Sequence, residues 1–187
     1  MSFAISPIHN LEDFPEGLTL DNKIEVFIAR VEGWLLGPAR EMIAMGVGYR
    51  GFALLSMVTS YFEMIAKYAD GFTEERKSGH YFKRGLQLVF PEMELPDAED
   101  LLSALYSRVR NGLYHVGMTK PGVVLVDPDF GPGSIAYEEE GGTVAVAPDT
   151  LVEDLSIHFN GFTKALRDPA DQILRTNFER RFDSDNN

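Results

Sequence analysis

The apolar residues Ile24, Phe27, Ile28, Val31 and Leu35 recur at the 3.6-residue period of an amphipathic helix, with Asp21 ahead of them as the expected cap. Gly37-Pro38 should break or kink this helix, since proline lacks an N–H and its ring crowds the preceding turn; a short continuation over "AREMIAM" then ends at Gly46. "YRGFALLSMVTSYFEMIAKYADG" predicts a second long helix closed at Asp70-Gly71. Phe52, Leu55, Val58, Phe62 and Ile65 share one side of it, and Leu54, Met57, Tyr61, Met64 and Tyr68 the other. A helix apolar on both sides belongs at the centre of a core. "GHYFKRGLQLVF" reads as a short helix entering the loop "PEMELPD". Asp97 is the expected cap of the next helix, with Asp100 at its third position and Leu101, Leu102, Leu105, Tyr106 and Val109 as the inward stripe.

Beyond Pro121 the pattern changes. "GVVLVD", "SIAY" and "TVAVA" are rich in β-branched residues and predict a two- or three-stranded antiparallel patch, turned at "DPDFGPG" and "EEEGG". After Pro148, "DTLVEDLSIHFNGFTKALRD" is helical again, and "PADQILRTNFERRF" follows with Pro169 suited to a first helical turn. The expected fold is mainly α: one domain over 1–187, an antiparallel bundle of about five main helices with a small β-hairpin inserted at about 122–147. A polar arm over 1–19 precedes it, and residues 183–187 are expected to fray.

Composition narrows the function classes. With 187 residues, 44% hydrophobic and 25% charged, the chain suits one core-forming domain. Cysteine is absent, which excludes disulfides, zinc–thiolate sites, iron–sulfur clusters and cysteine nucleophiles. The first residues, "MSFAISPIHNLEDFPEG", lack the basic start and apolar run of a signal peptide, and no apolar run reaches the ~18 residues of a membrane span. The expected location is cytoplasmic, with no membrane partner. A net charge of −12 weighs against indiscriminate binding to phosphate backbones. Its distribution is uneven: residues 76 to 120 hold seven basic and five acidic side chains, so the rest of the chain carries −14. A local site for an anionic ligand fits there.

Most short motifs reduce to structure. "GVGYRG", Gly46 to Gly51, matches a dinucleotide-binding glycine pattern, but a helix precedes it where that motif needs a strand, so a helix-to-helix turn is expected. "DPDFG" lacks the later oxygen ligands of a calcium loop, and His9, His80, His115 and His158 show no paired metal spacing. No metal or cofactor is expected. Glu63 stands out because a carboxylate within an apolar helix must find a partner or raise its pKa. It either pairs with a nearby Lys or Arg or orients a functional arginine across the bundle.

The remaining candidate is "RNGLYH", Arg110 to His115, at the end of an amphipathic helix in the basic part of the chain. Arginine stays charged and grips two phosphate oxygens, while histidine titrates near neutral pH and can move protons. Tyr114 beside them is suited either to packing or to stacking on a base. Five residues apart, Arg110 and His115 are separated by ~140° on a straight helix, so convergence requires a loosened turn at Gly112 or a bent arginine side chain. The alternative is structural: Arg110 pairs with an acid such as Glu63, and His115 caps helix-end carbonyls.

The arginine, the polar residue after it and the histidine, set in a helical bundle, resemble the HEPN superfamily. The resemblance implies that Arg110 and His115 are the catalytic pair, with Asn111 as the polar residue of the motif and Glu63 and Tyr114 in support. It also implies a metal-independent endoribonuclease of toxin, phage-defence or RNA-processing type, working as a homodimer in which two motifs face one cleft. RNA or a nucleotide would be the ligand and a protein such as an antitoxin a possible partner. Other members of the superfamily are non-catalytic nucleotide- or protein-binding modules, which is the second reading. A tyrosine two positions after the histidine is a modification target in one subgroup; Gly117 stands there in this chain.

Overall fold

In the computed structural model of this chain, residues 3–74, 77–92, 98–130, 133–138 and 140–186 are described; Asp97, the expected cap, lies outside them. Helix α1 runs as Leu20–Val31, a π-helical turn at Glu32–Leu36 and a last segment Gly37–Ala44. Its cap is Thr19 rather than Asp21: Thr19 Oγ1 accepts the Asn22 N–H at 3.2 Å, and the Asn22 side chain reaches back to the Thr19 N–H. Gly37-Pro38 does not break the helix. The widened turn, in which the Gly37 N–H reaches the Glu32 carbonyl, absorbs the hydrogen bond that Pro38 cannot make.

Helix α2 comprises Gly51–Val58 and Ser60–Asp70, with Gly71 in the left-handed conformation (φ 68°) closing it. Helix α3 is Ser78–Val89. Helix α4 comprises Ala98–Ala104, a second π-helical turn at Leu105–Arg110, and Asn111–Val116. Helices α5 (Pro148–Arg167) and α6 (Gln172–Asn186) complete the set. The described residues are therefore mainly helical, with six helices where the sequence pattern predicts about five. The difference lies in α3, expected as a short helix and found as a full twelve-residue member of the bundle. This helix lies against α2 at Gly85, where even a Cβ would stand 1.8 Å from the Phe62 carbonyl oxygen.

The strands depart from the expected antiparallel hairpin. They are β1 (Val123–Leu125), β2 (Ile135–Glu138) and β3 (Thr143–Val146), in the order β1-β3-β2, with β1 parallel and β2 antiparallel to β3. The short 3-10 turn Pro128–Phe130 lies between β1 and β2, and β2 pairs on the far side of β3. The central place goes to the strand whose alternate residues Val144 and Val146 are buried in the core. The resulting sheet is mixed.

The core is aromatic. Phe27 of α1 meets Tyr68 of α2 at 4.4 Å between centroids, Phe159 of α5 at 5.8 Å and Phe178 of α6 at 5.3 Å, so one side chain joins four helices. Helix α6 begins after Asp171, whose carboxylate accepts the Leu174 N–H at 3.1 Å; Pro169 falls in the preceding connection rather than in the first turn. The tail expected to fray is helical through Asn186. Asp183 bonds Lys23 at 3.0 Å, Asp185 accepts from the Tyr68 hydroxyl at 2.9 Å, and Asn186 accepts from Arg30 at 2.7 Å.

Candidate functional site

The second π-helical turn carries Arg110 at its end, with the Asn111 N–H donating to the Tyr106 carbonyl. Tyr106 and Tyr114 stand four residues before and after Arg110 on the same helix face. The guanidinium carbon lies 5.7 Å from the Tyr106 ring centroid and 4.9 Å from that of Tyr114. Such stacking holds an arginine without consuming its N–H donors.

Three further partners approach from the side. Arg110 Nη1 donates to Asn111 Oδ1 at 3.1 Å, Nη2 donates to Ser78 Oγ at 3.2 Å, and Nη2 lies 3.5 Å from Glu63 Oε2. Ser78 Oγ in turn donates to Glu63 Oε2 at 2.6 Å, and Lys67 Nζ is 3.1 Å from Glu63 Oε1. Glu63 is thus the meeting point of Arg110, Lys67 and Ser78, which satisfies a carboxylate set within an apolar helix. A guanidinium has five N–H donors, so contacts to Asn111, Ser78 and Glu63 leave some for a ligand.

Glu63, Lys67, Arg110 and Tyr114 line a cleft of about 550 Å³ between α2, α4 and α6. Lys67, Arg110 and Arg181 supply three cations to it, against the carboxylates of Glu63 and Asp185. Among the described residues that line it, cations thus outnumber carboxylates by one, on a chain of net charge −12. At its far end Arg181 Nε donates to Asp185 at 3.1 Å, and the Tyr68 hydroxyl donates to the same carboxylate. Burial pushes the Tyr68 phenol well above its ordinary range, with the Asp185 charge adding to the shift, so the hydroxyl remains a donor.

His115 is placed differently. It is exposed and does not line the cleft, and among the described residues no hydrogen bond joins it to Arg110. The helix end that the structural alternative assigns to His115 is closed instead by Gly117, in the left-handed conformation, whose N–H reaches the Leu113 carbonyl at 3.1 Å. The Tyr114 ring links the pair indirectly, since its centroid is 5.1 Å from that of His115, which stands edge-on to it, and 4.9 Å from the Arg110 guanidinium carbon. Gly112 does not loosen the helix. It is buried, and a Cβ there would meet the Met118 carbonyl oxygen at 2.6 Å, so its role is to let the 118–120 segment close against α4.

Of the residues singled out from sequence, Arg110, Asn111, Glu63 and Tyr114 come together, and His115 adjoins them at the rim. Lys67 carried a signal of its own, four positions after Glu63 on one helix. Ser78 carried none, and Arg181 and Asp185 show the same four-residue spacing on α6, but nothing in it says that α3 and α6 meet α2 and α4 at this cleft. Among the described residues no group of three or more His, Asp, Glu or Cys side chains could hold a metal ion, and no helix is long and apolar enough to cross a membrane. The chain matches no family model, no curated protein and no solved structure.

Proposed function

We propose that this chain is a HEPN-like, metal-independent endoribonuclease whose active centre is completed when two copies pair. The observation that carries the reading is the Tyr114 ring, exposed and shared by Arg110 and His115. A base stacked on that ring would bring its phosphate toward the guanidinium and its ribose toward the imidazole.

The chemistry follows from the two side chains. An imidazole takes the proton from the 2′-hydroxyl as that oxygen bonds to phosphorus, and the P–O5′ bond breaks to leave a 2′,3′-cyclic phosphate. The departing 5′-oxygen needs a proton, and the exposed His115 of a second copy supplies the second imidazole that one chain lacks. Arg110 offsets the charge that gathers on the phosphate. Ser78, Glu63 and Asn111 hold the guanidinium in place. The setting such an activity implies is of toxin, phage-defence or RNA-processing type, where an antitoxin-like partner would silence it.

A non-catalytic nucleotide- or protein-binding module is the second reading. It is favoured by the position of His115 outside the cleft. Incubation of a mixed RNA pool with the purified protein in excess EDTA separates the two. Cleavage by the parent that Arg110→Ala and His115→Ala both lose, with folding intact, supports the nuclease. RNA bound but left whole by folded parent protein favours the module.

A further inference from the structure

A second cavity, of about 260 Å³, adjoins the Arg110 cleft and is lined by Phe72, Glu74, Lys77, His80, Tyr81 and Arg180 among others. Three relationships make the two cavities neighbours. Lys77 immediately precedes Ser78, the residue that bridges Arg110 and Glu63. Lys67, on the first cavity, sits 5.3 Å above the Tyr81 ring, which lines the second. Arg181, on the first, donates through Nη1 to the Phe72 carbonyl at 3.1 Å, and Phe72 lines the second. One wall, made from the start of α3 and the Phe72 turn, thus has a cavity on each side.

The second cavity pairs cations with an aromatic surface. Phe72 stacks on Tyr81 at 4.9 Å with 29° between planes, and the exposed His80 ring stands edge-on to Phe72 at 6.1 Å. Lys77 and Arg180 are exposed beside them. Among the described residues Glu74, 3.1 Å from Lys77, is the one carboxylate lining this cavity, beside the two cations Lys77 and Arg180. Arg180 is held by the Asp70 carbonyl and Asn177 Oδ1, each at 3.2 Å, and both are uncharged acceptors that leave its charge available. Adjoining cavities that each set cations beside an aromatic ring suit an anionic, flat ligand running across them.

We infer that the Phe72, Lys77, His80 and Arg180 cavity is a second subsite for single-stranded RNA, which receives nucleotides flanking the one held at Arg110 and Tyr114. The inference rests on the ribonuclease reading of the first cleft and adds the path of the strand. Phosphates meet Lys77 and Arg180, and a base lies on the face of Phe72 turned away from Tyr81. The short cleft at Arg110 accepts the scissile nucleotide, and the second cavity supplies length-dependent affinity without reading sequence.

Fluorescence anisotropy with a labelled dinucleotide and a labelled octanucleotide tests this, using His115→Ala protein to prevent cleavage. The double variant Lys77→Gln and Arg180→Gln, both surface positions, is expected to weaken octanucleotide binding about tenfold and to reduce the log–log salt slope by about 1.4, that is, ~0.7 for each phosphate no longer neutralised. Dinucleotide affinity should remain unchanged. Phe72→Leu, which keeps an apolar body against Tyr81 but removes the stacking face, should weaken the octanucleotide about fivefold. Equal loss for both lengths, or no loss for the longer one, overturns the second subsite. If the parent cleaves RNA but Lys77 and Arg180 prove indifferent, the subsite falls and the nuclease stands. If the length-dependent loss is seen without cleavage by the parent, the subsite stands and the nuclease falls. If neither oligonucleotide binds, both fall.

Discussion

Arg110 and Glu63 approach to 3.5 Å across the α2–α4 interface, with Ser78 bonded to both. The carboxylate thus holds the arginine without enclosing it, since the Arg110 side chain remains 22% exposed.

Glu63→Gln separates holding from charge. It keeps an oxygen acceptor for Ser78 but removes the negative charge facing Lys67 and Arg110. RNA affinity should rise by a few-fold because the cleft becomes more positive, while cleavage falls about tenfold as the guanidinium loses its fixed position. Measuring binding and single-turnover cleavage on the same preparation checks it; both moving in the same direction would mean that Glu63 acts only through folding.

Gly85→Ala should destabilise the protein by ~1–3 kcal/mol, although alanine is the better helix former by about 1 kcal/mol. The added methyl would stand 1.8 Å from the Phe62 carbonyl oxygen, and backbone cannot yield as a side-chain end can. Urea denaturation gives the value, and an unchanged midpoint would show that α2 and α3 are not in such close contact.

Stability should fall as the pH drops from about 6.5 through the folded-state pKa of His158. Burial holds this imidazole below its ordinary value, and Nδ1 shares a 2.8 Å hydrogen bond with the Tyr61 hydroxyl, a phenol that burial keeps protonated. The unfolded chain takes up the proton first, so the stabilisation is complete above about 6.5 and is lost on acidification. His158→Gln should flatten the melting temperature against pH in that window, and an NMR titration of the ring should place its midpoint below the ordinary histidine value.

Tyr49→Gly should stabilise the protein by up to about 1 kcal/mol. Tyr49 has φ +57° in the turn between α1 and α2, and its side chain is fully exposed, so nothing that it packs against offsets the left-handed backbone. A lower melting temperature in the variant would show that the ring has a partner in solution.

The local sequence determined the helices, because a period of 3.6 in apolar residues is a property of the chain itself and survives any arrangement of the elements. The order of helices, the central burial of α2 and the polar–aromatic environment of Arg110 were legible in this way. Capping by Thr19 instead of Asp21 was also local, and there the choice turned on the reciprocal bond from Asn22 three residues on. Pairing was not legible. Strand β1 lies parallel to β3, and β2 antiparallel on its other side, because β3 is the strand with two buried valines; the three short segments look alike in isolation. The arms of the cleft were equally hidden: Ser78 is 32 positions from Arg110, and Arg181 reaches the Phe72 carbonyl from 109 positions away. A residue's type and spacing specify what it can do to a phosphate, but which groups face the same space depends on how whole helices pack. In this chain that packing gathers Arg110, Glu63 and Lys67 in the cleft and leaves His115 on its rim.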